Sequence, residues 1–313
     1  MTPQHFKRVL VVHHAFAEPI VERLRPARPD IEFRAMHPNA ATAEDVAWAE
    51  AVVGFRRPAA GLGNARWVHC IGAGVDGWTR DITWPGTVLL TRTTQSFAVP
   101  IGEYVLARVL AAAQEIPELV HDQDARRWRT FVPSVVHGTR AVVIGTGDLG
   151  QGIAERLKAV GIAVDGVSRS GALAPGFVSV VRPSGLPGAL PGAAWLVLAA
   201  PLTGETRGMI NDAVLHHVRD CWLINVARAP LIDEAAVLRA LDDGRLAGAA
   251  LDVFNTEPLP AESPLWAHPK VMISPHIAGV TSIDGAVDGF LSALEALEAG
   301  RMPERVVDVG EGY

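Results

Sequence analysis

Residues 141–157 read AVVIGTGDLGQGIAERL, and they constrain the fold more than any other stretch of the chain. Ala141–Ile144 is a short apolar run with the length of a buried strand. Gly145-Thr146-Gly147-Asp148-Leu149-Gly150 follows it, and a helical pattern then runs over Leu149–Val160. A strand, a G-x-G-x-x-G turn and a helix, in that order, is what the pyrophosphate of a dinucleotide needs. Gly145 permits the tight turn, Gly147 lets the backbone approach the phosphates, and Gly150 lets the helix pack on the strand. The N–H groups around Asp148 and Leu149, at the helix start, then face the phosphate charge. Thirty glycines make chance spacings common, so the weight rests on the strand–turn–helix context.

Elsewhere, short apolar runs alternate with helical patterns. Val9–Val12, Ile31–Met36, Ala51–Phe55, Trp67–Ile71 and Val88–Thr91 read as strands, with helices at Pro19–Leu24 and Thr42–Ala49. Val99–Leu119 reads as one long apolar helix, followed by a polar stretch, His121–Arg129. A second series of strands then follows at Arg140–Ile144, Ile162–Ser168, Trp195–Ala199, Cys221–Asn225, Gly248–Asp252 and Val271–Ser274. Asp233–Asp242 reads as a helix, Pro175–Pro191 as loops with a short helix, and Ser282–Ala299 as the last helix. Strand–helix alternation implies parallel sheets covered on both faces, so the fold class is α/β with two doubly wound parallel-sheet domains. Residues 1–98 and 285–313 form the first domain, residues 99–284 the second, and the apolar half of the VVDVGEGY tail packs back on one of them.

A formal charge of -6 argues against a nucleic-acid or anionic-membrane binder, which needs a basic surface. The apolar runs are broken before 18 residues, so no membrane span is expected. Val9–Val12 is too short for a signal-peptide core, and Cys70 and Cys221 sit in apolar runs as buried thiols. A cytoplasmic protein without a metal is the expectation.

Where an NAD-selective domain carries an acid after its second strand, this chain has Ser168-Arg169-Ser170. A guanidinium and two hydroxyls suit a 2′-phosphate, so NADP is expected in preference to NAD. Three later strands end in reactive residue types: Asn225-Val226-Ala227-Arg228, Asp252–Pro258 with Glu257, and Ser274-Pro275-His276-Ile277-Ala278-Gly279. Strand carboxyl ends line ligand sites in such sheets. Arg228 suits a substrate carboxylate, His276 a proton transfer to a carbonyl oxygen, and Glu257 the orientation of that imidazole.

GTGDLG, APLTGETRGMI, NVARAPLIDEAAVLRAL, ALDVFNTEPLP and SPHIAG, taken in order, resemble the D-isomer-specific 2-hydroxyacid dehydrogenases, nearest to their glyoxylate/hydroxypyruvate reductase subgroup. The resemblance implies a Rossmann cofactor domain inserted into a flavodoxin-like substrate domain, and a homodimer. It implies Arg228, Glu257 and His276 as the catalytic set. Pro201, Thr206, Val226, Ala227, Asp252 and Gly279 join the cofactor contacts, with Asp252 toward the nicotinamide carboxamide. Ala73-Gly74-Val75, in IGAGVD, resembles the family's substrate loop, where backbone N–H groups meet the substrate carboxylate. The Arg56-Arg57 pair either assists there or is solvated. Trp128 is a candidate to close the partner subunit's pocket. The implied partner is a small-molecule 2-keto acid or 2-hydroxy acid. Two other readings stand beside this one: a formate- or phosphite-type dehydrogenase, whose formate site has Gln where this chain has Glu257, and a dinucleotide-sensing corepressor.

Overall fold

The computed structural model describes residues 2–310. The chain divides into two compact units. One runs up to Phe97 and resumes at Thr281; the other is Ala98–Val280.

The first unit is built on five parallel strands, β1 (Arg8–Val12), β2 (Glu32–Met36), β3 (Ala51–Gly54), β4 (Trp67–Cys70) and β5 (Leu89–Arg92), in the order β2-β1-β3-β4-β5. That is the flavodoxin-like order. Alternate residues leave a strand on opposite faces, so β1 supplies two cores at once. Val9 and Val11 pack with Ile20 and Leu24 of α1 (Ala17–Ala27), and with Phe290 and Leu294 of the unit's last helix. Leu10 and Val12 pack with Val46 of α2 (Ala43–Trp48) and Trp78 of α3 (Asp76–Thr79). The tail returns to this unit. Val306 pairs antiparallel with Thr91, and the Val307 N–H donates to the Leu90 carbonyl at 2.9 Å. Glu311, Gly312 and Tyr313 lie outside the described residues.

The second unit begins with α4 (Ala98–Ala113), α5 (Ile116–Asp124), β6 (Arg140–Ile144) and α6 (Asp148–Ala159). Its further strands are β7 (Ala163–Val167), β8 (Ser179–Val181), β9 (Trp195–Leu198), β10 (Cys221–Asn225), β11 (Leu246–Leu251) and β12 (Val271–Ile273). All are parallel, in the order β12-β11-β10-β9-β6-β7-β8, which counted within the unit is the Rossmann order 3-2-1-4-5-6 with one strand added. Short helices α7 (Leu186–Ala189) and α8 (Asp212–Leu215) and the longer α9 (Glu234–Asp242) complete the unit; α10 (Ile283–Glu298) belongs to the first.

Three expectations are corrected. The single helix Val99–Leu119 is two helices, because Pro117 has no N–H to give the Ala113 carbonyl and Glu115 turns to φ +48°. The loop expected over Pro175–Pro191 contains the edge strand β8. The expectation that apolar runs break before 18 residues fails at Gln95–Ala113, a 19-residue helical stretch long and apolar enough, by length and composition alone, to cross a membrane. Within the second unit that apolar character has a packing cause. A Cβ on Gly102 would come within 2.5 Å of the Gly152 carbonyl oxygen, so α4 and α6 cross backbone to backbone.

Candidate active site

β6 ends at Ile144 and the chain turns through Gly145 into α6. Gly145 has φ +102°, and a Cβ there would lie 2.7 Å from the Ala199 carbonyl group at the end of β9. This is the point where the strand order reverses. On Gly150, a Cβ would lie 1.9 Å from the Gly145 carbonyl oxygen. Gly147, by contrast, has nothing within 4 Å of where its Cβ would stand. Two glycines are therefore required by close backbone packing, and the middle one faces open space at the head of a 12-residue helix. Open space and the N–H groups of a helix N-terminus together fit a pyrophosphate.

Beyond β7, the turn at Ser168–Gly171 is self-supporting. Ser168 Oγ accepts from the Gly171 N–H at 3.2 Å, and Ser170 Oγ accepts from the Ala172 N–H at 3.2 Å. Arg169 and Ser170 are exposed. Arg182, which sequence reasoning missed, donates from Nε to the Ser170 carbonyl at 3.2 Å, bringing a second guanidinium to the turn. The nearest acid, Asp165, accepts from Arg140 Nη1 at 2.9 Å and from Ser179 Oγ at 2.6 Å. It is committed within the sheet. The loop Pro201–Thr206 is likewise tied to itself, with Thr206 Oγ1 donating to the Pro201 carbonyl at 2.7 Å.

The ends of β10, β11 and β12 gather the reactive residues. Asn225 is fully buried; its Oδ1 accepts from the Ala227 N–H at 3.0 Å and its Nδ2 donates to the Arg228 carbonyl at 3.1 Å. This fixes the Val226–Arg228 bend, and Arg228 Nη1 donates to the Ala227 carbonyl at 2.7 Å. His276 Nδ1–H donates to Glu257 Oε2 at 2.8 Å, while Glu257 Oε1 accepts from the Phe254 N–H at 2.9 Å. Burial alone would raise the Glu257 carboxyl. Hydrogen bonds from His276 and the Phe254 N–H, with the charges of His276 and Arg228, outweigh it and hold the group below the usual carboxylate range. A carboxylate accepts only, so the proton of this pair sits on Nδ1, and Nε2 is the nitrogen left to exchange a proton elsewhere. His276 stands at φ +54°, a left-handed conformation rare outside glycine and asparagine, so its surroundings must hold it.

They do so through Asp252. Its carboxylate, 1% exposed, accepts from Ser274 Oγ at 2.6 Å and from the Ile277 and Ala278 N–H groups at 2.9 Å each. Its carbonyl accepts from the His276 N–H at 2.9 Å. Tyr104 on α4 adds a hydroxyl contact to Ser274 at 2.5 Å. These bonds tie Asp252 to the 274–278 loop that carries His276. Gly279, half-buried, closes that loop. Tyr104 carries no motif signal, and only the packing of α4 reveals it.

In the first unit, β4 leads into Gly72-Ala73-Gly74-Val75. Arg92 Nη1 donates to the Ala73 carbonyl at 2.9 Å, and Cys70 Sγ donates to the Gly74 carbonyl at 3.3 Å. A Cβ on Gly72 would lie 2.3 Å from the Phe55 ring, which therefore lies directly on the loop. Arg56 donates to Asn39 Oδ1 at 3.1 Å and Arg57 to the Trp78 carbonyl at 3.4 Å, so both basic residues have structural partners. His13, at the end of β1, stacks on Phe16 and tilts against Phe55. Burial first, and His14 second, push its imidazole down to about 4. Both cysteines are buried and unpaired by disulfide; burial pushes the Cys221 thiol up to about 12. Trp128 is 97% exposed.

Comparison with known proteins adds the following. Residues 106–278 match the family described as D-isomer specific 2-hydroxyacid dehydrogenase, NAD binding domain. The chain is 34% identical to glyoxylate/hydroxypyruvate reductase A of Serratia proteamaculans, over 97% of this chain and 99% of that protein. It is similar to the crystal structure of a D-isomer specific 2-hydroxyacid dehydrogenase from Xanthobacter autotrophicus in complex with NADPH and MES. The TM-score is 0.88 at 34% identity, covering 97% of this chain and 99% of that one. A third relative is the NADPH-dependent glyoxylate/hydroxypyruvate reductase of Sinorhizobium meliloti in complex with NADP and sulfate, at TM-score 0.86 and 28% identity, covering 98% and 100%.

Proposed function

This chain belongs to the D-isomer-specific 2-hydroxyacid dehydrogenase family of NAD(P)-dependent oxidoreductases, and we propose that it reduces a small 2-keto acid, of the glyoxylate or hydroxypyruvate kind, to the D-2-hydroxy acid with NADPH. The observation that carries this reading is the Glu257–His276 pair. Its anionic carboxylate is held on two sides, and its imidazole is kept in one tautomer at 2.8 Å.

The second unit, in this reading, is the cofactor domain and the first the substrate domain. NADPH supplies a hydride when bound. The Gly145–Gly150 turn would hold its pyrophosphate on backbone N–H groups, and Val226, Ala227, Pro201, Thr206, Asp252 and Gly279 would supply the further cofactor contacts. Ser168, Arg169 and Ser170 would hold the 2′-phosphate, and the commitment of Asp165 to Arg140 and Ser179 supports NADP over NAD. Arg228 pairs with the substrate carboxylate and draws charge from the adjacent ketone oxygen. On the substrate domain, the backbone N–H groups of Ala73–Val75 are the ones assigned to a substrate carboxylate. His276, its Nδ1–H held by Glu257, gives the Nε2 proton to the ketone oxygen and ends neutral. A positioned general acid of this kind is worth roughly 10²–10⁴ in rate.

A second copy of the chain covers the apolar surface of the Ile116–Val135 segment, where Val120, Val132 and Val135 are exposed beside Trp128. A homodimer working in the cytoplasm, without nucleic acid or membrane partners, follows from that reading. The test is NADPH oxidation across glyoxylate, hydroxypyruvate, a branched 2-keto acid and an arylpyruvate, with NADH in parallel. Turnover of the small acids with NADPH is expected, with kcat/KM at least about tenfold above NADH, the loss that one charged hydrogen bond represents. Absence of turnover with the whole panel overturns the proposal.

A further inference from the structure

We propose that Arg92 and Cys70 are positioning residues that aim two successive amides, those of Gly74 and Val75, outward as the seat for the substrate carboxylate. This rests on the reading above and names the groups that build its substrate loop.

The reasoning starts from the peptide bond. In a planar trans unit, the carbonyl of one residue and the N–H of the next point in opposite directions. Arg92 Nη1 holds the Ala73 carbonyl at 2.9 Å, so the Gly74 N–H points away from Arg92. Cys70 Sγ holds the Gly74 carbonyl at 3.3 Å, so the Val75 N–H points away from Cys70. Neither N–H donates to any group among the described residues. The Val75 carbonyl is fixed in turn by the Trp78 N–H at 2.9 Å and the Thr79 N–H at 3.2 Å.

The two donors act from one place. Cys70 and Arg92 are register partners on the adjacent parallel strands β4 and β5, so their side chains leave the same face of the sheet. The sheet itself, the most rigid part of the unit, therefore sets the direction of both amides. A pair of successive N–H groups turned to one side is an anion-binding concavity, and the Arg92 charge behind it adds to the attraction for a carboxylate. A small planar anion, the carboxylate end of a 2-keto acid or its analogue oxalate, is the ligand this seat fits.

The experiment compares Arg92→Met, Arg92→Lys and Cys70→Ala with the wild type. It reads KM and kcat for glyoxylate, the dissociation constant of NADPH, and the dissociation constant of oxalate by calorimetry. Arg92→Met is expected to raise KM and weaken oxalate by about tenfold or more, the value of a charged hydrogen bond. At saturating substrate kcat should stay within about threefold and NADPH affinity should be unchanged, the signature of lost ground-state binding. Arg92→Lys, which keeps a donor, should recover most of the loss, and Cys70→Ala should raise KM by about threefold. A folded Arg92→Met with wild-type KM and oxalate affinity overturns the proposal. If that variant does not fold, unchanged KM and oxalate affinity in Cys70→Ala overturn it instead. A wild type that reduces no keto acid but binds oxalate, with that binding lost in Arg92→Met, removes the reductase reading and leaves the seat standing.

Discussion

Asp252→Asn changes one atom and should disturb catalysis without touching a reacting group. The native carboxylate accepts three hydrogen bonds, from Ser274 Oγ and the Ile277 N–H on one oxygen and from the Ala278 N–H on the other. An amide has one acceptor and one donor end. Its least damaging orientation places the NH₂ toward Ala278, where two N–H groups then face each other in a site 1% exposed. Leaving one buried donor without an acceptor costs about 1–3 kcal/mol. The remaining two bonds lose their charge assistance. The 274–278 loop can relieve the clash only by moving, and His276 is in that loop at φ +54°. A displacement of about 1 Å in a group that must meet a reacting atom can cost about 10²-fold. We therefore expect kcat for glyoxylate reduction to fall by about 10–100-fold, with the denaturation midpoint lowered and NADPH affinity within about threefold of wild type. Steady-state NADPH oxidation, urea unfolding and NADPH fluorescence titration measure the three. A kcat within a factor of two of wild type would show that Asp252 does not set the imidazole, and the reasoning would fail.

Arg169→Ala should raise KM for NADPH by about tenfold or more and leave the NADH value unchanged; equal effects on both cofactors would place the guanidinium away from the 2′-phosphate. Gly150→Ala sets a Cβ 1.9 Å from the Gly145 carbonyl oxygen, backbone against backbone, and should cost about 1–3 kcal/mol of stability together with NADPH binding; a variant as stable as wild type contradicts that packing. His13, held near 4 in the fold against 6.5 unfolded, contributes stability that is fully present above pH 6.5 and lost as pH falls toward 4. The unfolded chain takes the proton first, so thermal stability should drop between pH 7 and pH 5, by roughly 1–2 kcal/mol from this residue, with a shallower fall in His13→Asn. Identical pH slopes in the two proteins would refute it.

The glycine turn was legible in the sequence because its chemistry is backbone chemistry: only spacing and flanking periodicity matter, and both are written in the chain. The strand-end positions of Arg228, Glu257 and His276 could be read for the same reason. Asp252 shows the limit. A buried carboxylate at a strand end looks alike in sequence whatever its oxygens meet, and the three donors that tie it to the 274–278 loop show only in the fold. β8 was hidden because three residues of an edge strand, in a Gly- and Pro-rich segment, carry no period to detect. The break at Glu115 was missed because Pro117 was read as part of the helix when its missing N–H falls opposite Ala113. Arg92 and Tyr104 act through contacts far along the chain, which no local pattern records.

The most direct test of the central claim is His276→Ala. If Nε2 of that imidazole delivers the proton, turnover of glyoxylate should fall by about 10²–10⁴-fold while NADPH binds as before. Wild-type turnover in that variant would remove His276 from the chemistry, and the proposed reductase mechanism with it.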